Sequence, residues 1–217
     1  MYQAIIFDFD YTLGDSTMGI VESVNYALDR LGYKTENIDN IKKTIGLSLK
    51  ETFKALTGSM DDSYATDFAA YFKEKADMVM VENTCLYEHT LSLLSKLRDA
   101  GIKTAIVTTK FHYRIDAILS RFNANHLIDI IVGGEDVSHA KPDPEGLCLA
   151  IHKLEVSPAN VLYVGDSMVD AKTALNAGVD FAAVLTGTTT GEEFEVMPHV
   201  MIHEKLDTDN IFSILST

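Results

Sequence analysis

Short, largely apolar runs recur along the chain at residues 4–7, 103–108, 128–132, 161–164 and 181–184, each ending in glycine or polar residues. Continuous rather than alternating hydrophobicity suits strands buried on both faces, as in a parallel sheet. Between the runs, amphipathic stretches at 91–100, 113–122, 144–154 and 169–177 predict helices. Gly101 and Gly178 close the first and last of these, while Asp143 and Pro144 read as an N-cap followed by a first helical residue. Strand–helix alternation of this kind predicts an α/β fold with a doubly wound, Rossmann-like parallel sheet.

Residues 16 to 81 break the alternation. Their periodicity is helical throughout, as at Ile20, Val24, Ala27, Leu28 and Leu31 and then along 62–81. The expected organisation is a sheet domain made of 1–15 and 82–217, with a helical subdomain of 16–81 entering just after the first strand. The 217-residue length fits one ordinary domain plus a small insertion.

Composition narrows the classes. Eighteen Lys and Arg against 32 Asp and Glu give a net charge of −14, which disfavours binding to nucleic acid or to an anionic membrane surface. No apolar run approaches the ~18 residues of a membrane span. The N-terminus lacks the basic start of a signal peptide, and Cys85 and Cys148 suit no disulfide or ligand framework. The expectation is a cytoplasmic protein with two buried thiols; no feature of the sequence fixes an oligomeric state.

In open α/β sheets, ligands bind at the carboxyl ends of the strands. There the first strand presents Asp8, Asp10 and Thr12, the second Thr108, Thr109 and Lys110, the third leads to Lys141, and the fourth presents Asp166, Ser167 and Asp170. Singly, each reads as turn, cap or solvated-loop chemistry. Jointly, they make a site. Converging aspartates repel one another unless a cation sits among them, and hard oxygen donors favour Mg²⁺. An aspartate so neutralised can attack phosphorus, and a second carboxylate two residues on can protonate the leaving oxygen and later activate water. The Thr108 hydroxyl and Lys141 ammonium suit the equatorial oxygens of a transferring phosphoryl group.

These four elements resemble the four motifs of the haloacid dehalogenase-like hydrolase superfamily, from Asp8 to Asp170. The resemblance implies that Asp8 is the nucleophile and Asp10 the general acid/base. It implies that Thr108, with Thr109 beside it, and Lys141 bind phosphate. Asp8, the Asp10 backbone carbonyl and Asp166 would ligate Mg²⁺, with Asp170 supporting them from behind. The helical insertion is similar to the cap of the phosphoglycolate phosphatase-like branch, in which Gly46 and Ser48 resemble a loop facing the substrate. Cap opening and closing is implied too, with hinges near 14–16 and 81–84. The activity so implied is a Mg²⁺-dependent phosphoric monoester hydrolase acting on a small phosphorylated metabolite.

Asp10 argues against a dehalogenase, since the dehalogenases of the superfamily lack an aspartate there. Gly19 and Ile20 stand where the β-phosphoglucomutase-like branch carries a cap histidine, so a phosphotransferase of that kind is the lesser alternative and a pyrophosphatase the stronger. One departure concerns Tyr11, where the family usually has glycine; its ring either fills space in an ordinary backbone conformation or restricts the leaving group. Lys110 and Arg114 could touch substrate or simply be charges at a helix start. Residues 192–195 read as a solvated acidic loop, Met78 and Met80 as packing residues, and the seven histidines show no metal-ligand spacing.

Outside this family, the chain lacks a Gly-x-Gly-x-x-Gly fingerprint, a Walker motif and a Gly-x-Ser-x-Gly elbow. A non-enzymatic alternative is a phosphoacceptor or metal-binding signalling module. An EF-hand is opposed by Leu13 and Gly19 at the positions of its glycine and glutamate. A receiver domain would not account for the long insertion.

Overall fold

A computed structural model describes residues 2–215. It divides into two compact units: one holds the chain up to Asp15 and from Leu86 onward, the other is Ser16–Cys85. The chain starts with β1 (Ala4–Phe7), whose four residues are fully buried, and continues to β2 (Gly14–Asp15). Burying Ile5, Ile6 and Phe7 contributes about 1.5–3 kcal/mol each, as suits an inner strand paired on both sides.

Up to its last residue the second unit is built from helices: α1 (Thr17–Arg30), α2 (Ile38–Lys42), α3 (Leu49–Thr57) and α4 (Asp62–Val79). Its core joins Val24, Leu28, Ile41, Phe53, Phe68 and Phe72. Asn37, Ser48 and Asp61 cap the last three helices through their side chains, and Gly58 ends α3 in the left-handed region. The Thr84 hydroxyl donates to Ser16 Oγ at 2.9 Å, so the two ends of this unit meet. Met80 packs in its core, but Met78 is 71% exposed rather than a packing residue.

The chain re-enters the first unit at β3 (Cys85–Leu86), which pairs with β2. There follow α5 (Thr90–Asp99), β4 (Lys103–Val107), α6 (His112–Arg121), β5 (Ile130–Val132), α7 (Glu145–Leu154), β6 (Val161–Gly165), α8 (Met168–Ala177), β7 (Asp180–Val184), α9 (Gly191–Phe194), β8 (Met201–His203) and α10 (Thr208–Leu215). Six strands form one parallel sheet in the order β5-β4-β1-β6-β7-β8. Chain order runs outward in one direction from β1 through β4 to β5, and in the other from β6 to β8. The switch point therefore lies between β1 and β6, where Ile6 sits opposite Tyr163. Ligands in such sheets bind beyond the carboxyl ends at that point. No helix of the described residues is long and apolar enough to cross a membrane.

Several local expectations change. Helix α7 begins at Glu145 with Pro144 as its N-cap residue, because Asp143 Oδ1 accepts the Glu145 N–H at 2.9 Å from one position further out. The acidic stretch at 192–195 is largely helical: Thr190 forms a capping box with Glu193, and the fully buried Phe194 anchors α9. Both cysteines are exposed rather than buried.

Candidate active site

Asp8 follows β1 directly, its N–H donating to Val164 O at 2.9 Å, so the sheet ladder itself fixes where its side chain starts. The Lys141 ammonium lies 2.9 Å from Asp8 Oδ1 and 2.6 Å from Asp170 Oδ1, and donates to the Tyr163 hydroxyl at 3.3 Å. All four residues are buried. Asp170 is held from both sides, since Tyr163 donates to its Oδ1 at 2.9 Å and the Ser167 N–H and hydroxyl donate to its Oδ2. It thus completes the capping box of α8 and neutralises Lys141 at once.

Asp8, Asp166 and Asp170 each offer a carboxylate oxygen within 4.8 Å of the others. Thr12 donates to Asp166 Oδ1 at 3.4 Å. Burial pushes the Asp8 carboxyl up to about 7; Lys141 opposes that shift, and Asp170 adds to it. Burial also holds Asp166 well above the usual carboxylate range, with Asp170 and Asp8 raising it further. Burial alone would lower the Lys141 ammonium, but the Asp170 and Asp8 carboxylates outweigh it and raise it well above its ordinary value. One lysine among three buried carboxylates leaves a deficit of positive charge. A hard divalent cation would supply it, and the all-oxygen donor set fits Mg²⁺.

Asp10 is buried, with one oxygen at 3.1 Å from the Lys110 ammonium and the other, Oδ1, buried without a hydrogen-bond partner. Lys110 therefore binds a carboxylate, which neither sequence reading of it foresaw. Thr108 is buried and its hydroxyl accepts the Lys110 N–H at 3.2 Å; Thr109 is half-buried beside it. Arg114 is buried on α6 with its guanidinium against the Phe111 and Tyr113 rings, at 5.1 and 5.3 Å from their centroids.

Tyr11 takes a φ of 60°, the left-handed region, so the ordinary conformation allowed for it is not the one it adopts. The tight turn dictates this: Leu13 and Gly14 both donate to Phe9 O, Tyr11 donates to Gly14 O, and the Thr186 hydroxyl donates to Tyr11 O. Glycine is the residue such a φ favours, which explains the physical sense of the usual glycine. Gly46 and Ser48 belong to the helical unit instead. Gly46 has a φ of 95°, and the Ser48 hydroxyl is engaged with Glu51 as the N-cap of α3.

The structure gives Thr12, which the sequence placed at this edge without a role, a partner, and adds Tyr163, Gly187 and Gly134. The hydroxyls of Thr12 and Tyr163 hold Asp166 and Asp170. A Cβ on Gly187 would stand 1.9 Å from Asp166 Oδ2, and one on Gly134 would stand 2.5 Å from Thr109 O. A glycine just beyond the end of β7, at the same sheet edge as Asp166, was the available signal.

A family model for haloacid dehalogenase-like hydrolases matches residues 5–184. The chain is 31% identical over 214 residues to a pyrophosphatase PpaX of Bacillus velezensis, covering 97% of this chain and 96% of that one. It is also 31% identical over 205 residues to a phosphoglycolate phosphatase of Rhodobacter capsulatus, covering 92% and 91%. A crystal structure from Bacteroides fragilis, described as a haloacid dehalogenase-like hydrolase, superposes with a TM-score of 0.92 at 46% identity over 95% of this chain and 98% of that one.

Proposed function

The chain belongs to the haloacid dehalogenase-like hydrolase family, and on that premise we propose that it is a Mg²⁺-dependent phosphatase of small phosphorylated metabolites, phosphoglycolate-like in kind, working through an aspartyl-phosphate on Asp8. The observation that carries this reading is the buried Asp8–Lys141–Asp170 chain of charges with Asp166 inside the same 4.8 Å cluster. Asp8 and Asp166, with the Asp10 backbone carbonyl, would hold the metal. When bound, Mg²⁺ neutralises these carboxylates and offers positive charge to an anionic phosphoryl group.

Asp8 Oδ attacks phosphorus while the bond to the leaving oxygen breaks, and Asp10 gives that oxygen its proton. Lys141 and the Thr108 hydroxyl bind the equatorial oxygens as charge collects there, with Thr109 beside them. Asp10, now a carboxylate, takes a proton from water as the water attacks the acyl-phosphate. Phosphate leaves and Asp8 is restored. Asp170 supports the site through Lys141 and Ser167 rather than by touching substrate.

Purified protein should hydrolyse p-nitrophenyl phosphate in Mg²⁺ and lose at least about 10³-fold in kcat on Asp8→Asn substitution, since the nucleophile is gone. Turnover retained by Asp8→Asn, or turnover indifferent to EDTA, would refute the assignment. The Bacillus velezensis relative supports a second reading, inorganic pyrophosphate as substrate. Comparing kcat/KM for pyrophosphate with that for 2-phosphoglycolate decides between them.

A further inference from the structure

Lys110 is a lysine with 8% exposure on a strand-end loop, a place where lysines are ordinarily solvated. Its backbone is pinned from two directions: its N–H donates to the Thr108 hydroxyl at 3.2 Å, and its carbonyl accepts the Gly134 N–H at 3.0 Å. The second contact depends on Gly134, whose backbone passes so near Thr109 that a Cβ there would meet the Thr109 carbonyl at 2.5 Å. From this fixed base the ammonium reaches 3.1 Å from Asp10 Oδ2. The other oxygen of that carboxyl, Oδ1, is buried with no partner.

We infer that Lys110 is the positioning residue for Asp10, holding Oδ2 so that Oδ1 is the oxygen that carries the proton to the leaving group. The inference rests on the phosphatase reading above. With the ammonium donating to Oδ2, that oxygen is engaged as an acceptor and Oδ1 is left as the oxygen through which a proton can pass. As the phosphorus–oxygen bond breaks, the Oδ1 proton passes to the departing alkoxide, an alcohol leaves, and Asp10 becomes a carboxylate still paired with Lys110. In the second half, Oδ1 takes a proton from the attacking water. Lys110 gains and loses no proton and touches no substrate atom.

Leaving-group dependence separates this role from simple phosphate binding, because only esters of weakly acidic alcohols need a well-aimed acid. The kcat/KM value reports events up to release of the leaving group. For Lys110→Met it should fall roughly 100-fold for 2-phosphoglycolate or glycerol phosphate and only about 2- to 5-fold for p-nitrophenyl phosphate. Lys110→Arg, which keeps a donor on Oδ2, should restore most of the alkyl-to-aryl ratio. Should Lys110→Met fail to fold, Lys110→Gln is measured for the same ratio. An equal fall for both ester classes, or a rise in KM with kcat unchanged, overturns the inference and makes Lys110 structural or a substrate-binding group. Absence of turnover in the wild type, or full turnover by Asp8→Asn, overturns the phosphatase reading itself and this inference with it.

Discussion

Tyr11 occupies a backbone conformation that costs a non-glycine residue of order 1–3 kcal/mol, yet its ring is buried and its carbonyl is held by Thr186. Replacing it with glycine relieves the strain but removes a packed aromatic side chain, a loss of about 3–5 kcal/mol for large-to-small changes. Packing outweighs strain, so Tyr11→Gly should lower the melting temperature. The same variant tests whether the ring restricts the leaving group. Across a panel of phosphate esters graded by size, kcat/KM for the bulkier members should rise relative to the smallest. An unchanged profile would leave the ring a purely structural part.

At the scale of elements, each strand end delivers its residue through a neighbouring loop that some second group must hold. Glu145, in the first turn of α7, accepts the N–H groups of Ser138 and His139 at 2.9 Å each, and so braces the loop that leads to Lys141. The Ser138 N–H, followed by the His139 ring and N–H, holds its carboxyl below the ordinary value of 4.5. A depressed folded-state value stabilises the loop fully above the unfolded value, and the contribution is lost as pH falls through the folded one. The Ser138 amide resonance should therefore shift only below about pH 4.5, and in Glu145→Gln that shift should be absent. Beyond β7, Gly187 leaves space that Asp166 Oδ2 occupies. Gly187→Ala should weaken Mg²⁺ binding by roughly 10- to 100-fold, read by calorimetry, because Asp166 must move.

Legibility in the sequence followed the same division. The five apolar runs marked five of the six sheet strands: the inner strands β1, β4, β6 and β7 are covered on both faces and buried over nearly their whole length, while the edge strand β5 keeps three consecutive apolar residues of which only Val132 is buried. The edge strand β8 escaped: it spans three residues ending in His203, and only Met201 among them is buried. The carboxylates of the candidate site stood out as charges at strand ends. The groups that hold them were less legible: Thr12 stood at the same edge without a role, and Tyr163 and Gly187 look like ordinary strand and loop residues until the backbone brings them together. Lys110 was visible but ambiguous, since no spacing rule pairs residue 110 with residue 10. Adjacent parallel strands do: Phe7 is in register with Ile106, which puts their following loops side by side.

For the whole molecule, every residue assigned a chemical role here, from Asp8 to Asp170, lies in the sheet unit, which has its own core of Ile6, Val107, Leu147, Tyr163, Phe181 and their neighbours. The helical unit has a separate core, and its two ends are tied by the Ser16–Thr84 hydrogen bond. Two independent cores predict that the units are separable. Closing the chain between Asp15 and Leu86 with a short Gly-Ser linker should leave a protein with a native-like circular dichroism spectrum for its α/β content. If Asp8 and Asp166 bind Mg²⁺ without help from the helices, its affinity should match that of the full chain within about threefold, a difference below roughly 1 kcal/mol. The net charge of −14 sets the other expectation. Its long-range repulsion of an anionic ester is screened over about 10 Å at 0.1 M salt, whereas on the proposed reading the buried Lys141 and a bound cation would act at contact. Substrate KM in the full chain should accordingly change little between 50 and 200 mM NaCl at saturating Mg²⁺. Loss of Mg²⁺ affinity on excising residues 16–85 would place part of the metal site's support in the helices, against the assignment of all its ligands to the sheet unit.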